Sequence, residues 1–131
     1  MAAPKSKTYK VQQFDHVHGL DGISDGQVKE HLELYAGYVK QVNSLNGQLS
    51  EMLGQGKASG TNPEFAEITR RLGFEYNGMI LHEYYFENLR RGGEPRPPAG
   101  SGLAQALGQS FGGLEPWLTD FQAIGTMRGV G

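Results

Sequence analysis

Two of the four histidines fall where chemistry is hard to avoid: His31 and His82 each sit inside a run of apolar residues at helical spacing. Burying a histidine on an apolar helix face costs free energy unless its ring nitrogens find partners. Two imidazoles projected inward from facing helices are also how a helical bundle begins a metal site. On spacing alone the pair reads first as core residues bonded to tyrosine or backbone, and second as ligands. Imidazole suits zinc, copper, iron and nickel, and manganese in mixed sites, but two imidazoles do not close a tight site. Tyr38 stands seven residues after His31, two turns on along the same face, where a phenol would point toward whatever His31 binds.

The remaining candidates carry less. His16 and His18 lie in a polar arm and read as a surface pair. His82-Glu83 opens an HExxH-like string, but its fifth position is Phe86, so the second histidine of a zinc-protease helix is missing. Glu64, Glu67, Glu75, Glu83 and Glu87 are assigned to the polar side of their helix, where charged residues mostly solvate and pair locally. Tyr35, Tyr76, Tyr84, Tyr85 and Phe86 read as core and rim packing. No cysteine is present, which excludes disulfides, thiolate sites and a cysteine nucleophile, so any metal is held by histidine, carboxylate or water. Signatures for nucleotide binding and serine hydrolysis are absent as well.

The elements that must position these residues are legible from caps and periodicity. Residues 1–22 read as an extended N-terminal arm. Ser24 followed by Gln27 is a capping box, with Ile23 as the staple residue, and predicts a helix whose stripe runs through Val28, His31, Leu32, Tyr35, Tyr38, Val39, Val42 and Leu45 to Gly54. Asn62-Pro63-Glu64 predicts a second start, with the helix running to Arg90 or Arg91. Two long helices joined by a short loop make an antiparallel hairpin, residues 23–91, with one histidine in each apolar stripe. A Pro/Gly-rich linker follows at 92–102, then short helices from Ser101 through Leu107 and from Glu115 to Met127, and Gly129-Val130-Gly131 reads as the approach to a strand. The fold class expected is mainly α.

At 131 residues and a net charge of -2, the chain has room for one core and shows no basic patch, so nucleic acid is not an expected partner. Neither a signal-peptide pattern nor a membrane-length apolar run is seen, and the expectation is a soluble cytoplasmic protein with no membrane partner.

Three blocks carry a resemblance. The string from His31 through Tyr35, Tyr38-Val39 and Asn43 resembles the first helix of the iron/manganese superoxide dismutases. Phe74, Tyr76, Asn77, Gly78, His82, Tyr85, Phe86 and Leu89 resemble that family's second ligand helix, and Phe111-Gly112-Gly113 through Trp117, Phe121 and Ala123 is similar to the stretch leading into its C-terminal sheet. The resemblance implies the N-terminal part of an α+β fold, with residues 103–131 an incomplete start of the second domain and the sheet lacking. It implies that His31 and His82 are two of four protein ligands to iron or manganese, and that Tyr38 is the catalytic gateway tyrosine over the substrate channel. The implied reaction converts superoxide to dioxygen and hydrogen peroxide by redox cycling of the metal.

Three departures qualify the match. The spacing from His31 to Tyr38 is one residue shorter than the family's, which implies a regular helix where relatives carry a bulge. Gly78 stands where many iron enzymes carry a glutamine and resembles the manganese-type arrangement. The family's DxWxH-type segment, source of the other two ligands, has no counterpart here. Residues 1–131 alone are therefore expected not to be a competent catalyst, and a truncated or split chain needing a complementary chain or a homo-oligomer is expected. The competing expectation is a non-catalytic helical interaction module of the same descent. Apolar Leu103, Leu107, Phe111, Trp117 and Phe121 are expected to be partly exposed unless another chain covers them.

Overall fold

The computed structural model describes residues 6–129, so the strand approach expected at Val130 and Gly131 lies outside the described residues. Among the described residues, a 3-10 turn at Asp15–Val17 precedes four helices: α1 (Asp25–Gly54), α2 (Pro63–Glu87), α3 (Gly102–Phe111) and α4 (Leu114–Gly125). Among the described residues there is no strand, and the architecture is the mainly-α hairpin with short helices after it. No described helix is long and apolar enough to cross a membrane. The chain divides into two compact units, Met1–Gly92 and Gly93–Gly131.

In the first unit, the capping box forms as the sequence predicts: the Gln27 N–H donates to Ser24 Oγ at 3.2 Å and the Ser24 N–H to Gln27 Oε1 at 3.4 Å. The helix closes where Gly56 takes φ of 70°, a left-handed conformation that glycine adopts without strain. Asn62 caps α2 by accepting from the Glu64 N–H at 3.0 Å, with Pro63 in the first turn where its missing N–H costs nothing. The far end differs from expectation. α2 stops at Glu87: the Asn88 N–H still reaches the Tyr84 carbonyl at 3.2 Å, but the next N–H, that of Leu89, turns to the Phe86 carbonyl three residues back at 3.2 Å, and Asn88 Nδ2 adds a second bond to the Tyr84 carbonyl at 2.8 Å.

The core of this unit joins Val28, Tyr35, Val39 and Val42 of α1 to Met79 and Phe86 of α2, with Phe14 and Val17 of the arm packed in among them. The arm is thus part of the core. Asn43 grips its backbone in both directions: the Tyr9 N–H donates to Asn43 Oδ1 at 2.8 Å and Asn43 Nδ2 donates to the Tyr9 carbonyl at 2.9 Å. One side chain stands in for a neighbouring strand, satisfying a segment whose backbone would otherwise lack partners.

In the second unit, Ser101 caps α3 by accepting from the Ala104 N–H at 3.1 Å. The helix runs a turn past the expected Leu107 to Phe111 and ends where Gly112 takes φ of 76°. α4 follows at once, with the Trp117 and Phe121 rings 5.4 Å apart and Arg96 paired with Glu115. Leu103, Phe111, Phe121, Ile124 and Met127 are exposed, and Leu107 and Trp117 are half-buried.

Candidate metal centre

Two antiparallel helices joined by a short loop bring the early turns of α1 against the late turns of α2, and with them His31 against His82. The two rings meet edge to face, 4.8 Å between centroids at 83°. Both histidines are half-buried. Tyr85 and Phe86 pack on His31 at 5.0 Å each, and His31 also lines a cavity of about 290 Å³ together with Ile23, Gln27, Val28 and Leu89. Burial, and then the neighbouring charge of His82, holds the His31 imidazole below its ordinary pKa. A ring held neutral keeps a nitrogen lone pair for a ligand to use.

The tautomer of His82 follows from one contact. Its Nδ1 lies 2.6 Å from the Gly78 carbonyl oxygen. A carbonyl can only accept, so Nδ1 carries a proton, and in the neutral ring the lone pair is on Nε2. Orienting a metal-binding imidazole through its second nitrogen is the usual work of such a carbonyl. Gly78 does more than accept: a Cβ at this position would fall 2.4 Å from the Tyr38 ring. The missing side chain is the space in which Tyr38 packs.

Tyr38 meets the histidine pair through His82, its ring 5.1 Å away and tilted by 39°, and lies 6.3 Å from the Phe74 ring. α1 runs without a break through this region, so the short spacing is accommodated as regular helix. The three residues singled out from the sequence, His31, Tyr38 and His82, are brought into one cluster. Among the described residues, no group of three or more histidine, cysteine, aspartate or glutamate side chains could hold a metal ion. The donor set here is two imidazoles, which fits part of a metal site and does not close one.

Other side chains sit differently from the sequence reading. Glu75 and Glu83 are not on the solvated face. Glu75 is buried at 3% exposure and bonds Arg71, with Oε1 2.7 Å from Nε. Glu83 accepts the Tyr35 hydroxyl at 2.8 Å across the two helices. Both positions fall on the stripe through Leu72, Met79 and Phe86 at intervals of three or four residues, a signal that helical periodicity contains. His16, exposed as expected, hydrogen-bonds through Nε2 to the Phe86 carbonyl at 2.9 Å, tying the arm to the end of α2.

No protein-family model matches the chain. Among curated proteins it is similar to a superoxide dismutase [Fe] of Aquifex aeolicus, 32% identical over 120 residues, and to that of Aquifex pyrophilus, 31% identical over 120 residues. Each match covers 88% of this chain and 55% of the relative. A superoxide dismutase [Fe] of Cupriavidus metallidurans is 33% identical over 115 residues, covering 86% of this chain and 54% of the relative. The chain spans about half the length of the curated relatives it matches.

Proposed function

The chain belongs to the iron/manganese superoxide dismutase family, and from that premise we propose that it is the helical part of a superoxide dismutase, with His31 and His82 supplying two ligands of the metal site. The observation that carries this reading is the meeting of the two imidazoles at 4.8 Å, with His82 Nδ1 donating its hydrogen bond to the Gly78 carbonyl. Bonds from metal to imidazole nitrogen are about 2 Å long, so rings this close can serve one ion. Iron is the metal favoured, because the relatives are named as iron enzymes; manganese shares the ligand types.

When bound, the metal would supply the one-electron exchange with superoxide. The chain's own residues do the rest. His31 and His82 present lone pairs from two rigid helices, and Gly78 holds the His82 ring in one orientation. Phe86 and Tyr85 pack their rings on His31 at 5.0 Å each and limit how its imidazole can turn. Tyr38 stacks against His82 with a phenol able to donate or accept a proton at its oxygen. The remaining ligands come from protein outside the described residues, as a continuation or as a complementary chain.

The test is to co-express residues 1–131 with a segment supplying aspartate and histidine ligands, then measure bound iron and manganese and superoxide consumption. The expected result is a metal-loaded, active complex that loses most of its metal in His31→Gln and in His82→Gln. A complex that stays metal-free and inert would sink the reading. The donor count of two favours a second reading, a non-catalytic helical interaction module. It predicts that the double glutamine variant folds and keeps its partners while no redox metal was ever bound.

A further inference from the structure

We propose that the hydrogen bond from Tyr35 to Glu83 is the positioning device that holds α1 and α2 in the register where His31 and His82 meet, an inference that rests on reading the two histidines as metal ligands. Tyr35 lies one turn beyond His31 on α1, and Glu83 is the residue after His82 on α2. Their bond, 2.8 Å from hydroxyl to Oε1, therefore crosses between the helices at the level of the site. It is closed on the other side by the arm, whose Gln12 N–H donates to the same hydroxyl at 3.1 Å.

The physical reason a register device is needed lies in the rest of the interface. Val39, Val42 and Met79 meet by apolar contact, which is non-directional and opposes axial sliding weakly. A hydrogen bond weakens steeply once its geometry is lost. Tyr35 is fully buried, so its hydroxyl cannot exchange this partner for water. Burial, followed by the hydrogen bond and charge of Glu83, pushes the phenol up to about 12 against the opposing effect of the Gln12 N–H, and the hydroxyl keeps the proton it donates. The effect reaches the histidines through Phe86, whose ring lies 6.1 Å from Tyr35, 5.0 Å from His31 and 6.2 Å from His82. Neither Tyr35 nor Glu83 is placed among the ligands.

The experiment uses the full chain with Zn2+ alone as the calorimetric probe, and urea unfolding to establish that each variant is folded. The expected component of Zn2+ binding is the one lost in His31→Gln and His82→Gln. Tyr35→Phe and Glu83→Ala should each weaken that component by about tenfold to a hundredfold, the range for removing a group that orients a ligand. The double variant should be no weaker than either single one. Glu83→Gln keeps a carbonyl oxygen as acceptor and should bind as the unaltered chain does. A merely structural role would lower the urea midpoint of Tyr35→Phe and leave Zn2+ affinity of the folded chain unchanged, which overturns the proposal while the ligand reading stands.

A second measurement covers the case in which no histidine-dependent Zn2+ component exists and the ligand reading itself fails. In the metal-free chain, nuclear Overhauser cross-peaks between the His31 and His82 rings report their register directly. Their loss in Tyr35→Phe and Glu83→Ala with retention in Glu83→Gln supports the device, and retention in all three overturns it.

Discussion

The two units use the same local chemistry and reach different ends. Serine caps both α1 and α3, and glycine at positive φ ends both. Yet the first unit buries Tyr35, Val42, Met79 and Phe86 almost completely, while among the described residues of the second only Ala104 is buried and Leu103, Phe121 and Met127 lie open. Caps decide where a helix starts and stops, within a turn or so. A core needs apolar stripes long enough to face each other and a segment to close the gap, and only the hairpin has both, with Phe14 and Val17 as the closure. The lesson is that the chemistry-bearing pair sits in the unit where packing is complete.

The sharpest way to break this contrast is to truncate one aromatic in each unit. Phe86→Ala should destabilise the first unit by about 3–5 kcal/mol, the usual range for a buried phenylalanine, whereas Phe121→Ala, at a 61% exposed position, should change stability by less than about 0.5 kcal/mol. Urea unfolding followed by far-ultraviolet circular dichroism measures both; equal losses would mean that the second unit has a core of its own. A smaller effect is expected within the first unit at Gly78. Gly78→Ala drives a methyl into the Tyr38 ring and should cost about 1–3 kcal/mol as overpacking. Tyr38→Ala in the same background should recover part of that loss, which a double-mutant cycle would detect.

The smallest effect concerns pH and tests whether the histidine pair is coupled to the hairpin's stability. The folded His31 pKa is depressed, so below about 6.5 the unfolded chain takes up the proton first. The sign is therefore a stability that is full above that value and declines as pH falls toward the folded pKa. Urea midpoints of the metal-free chain at pH 7.5 and pH 5 should differ by more in the native sequence than in His31→Gln. Identical pH dependence in the two would show that His31 is solvated as freely in the fold as out of it.

Much of the helical framework was legible in the residues. Ser24 with Gln27 and Asn62 with Glu64 and Phe65 are interactions over two or three positions, so sequence spacing contains their geometry. The stop of α2 is not legible, because the Leu89 N–H turns to the Phe86 carbonyl in place of the carbonyl four residues back, a competition between bonds of similar strength. The candidate site was legible in part. His31, His82 and Tyr38 stand out as polar or ionisable groups in apolar stripes, and they do cluster. Residue type points Glu75 and Glu83 to solvent, although their positions follow the buried stripe.

What the sequence by itself determined is the set of helices, their caps and which side of each carries apolar residues, because a period of 3.6 residues and a capping bond are both local. What only the tertiary structure decided is which side chains meet across α1 and α2: Tyr35 with Glu83, Tyr38 with the empty flank of Gly78, and one histidine ring with the other. Those meetings depend on the axial offset between two helices, and no spacing within either helix contains that offset.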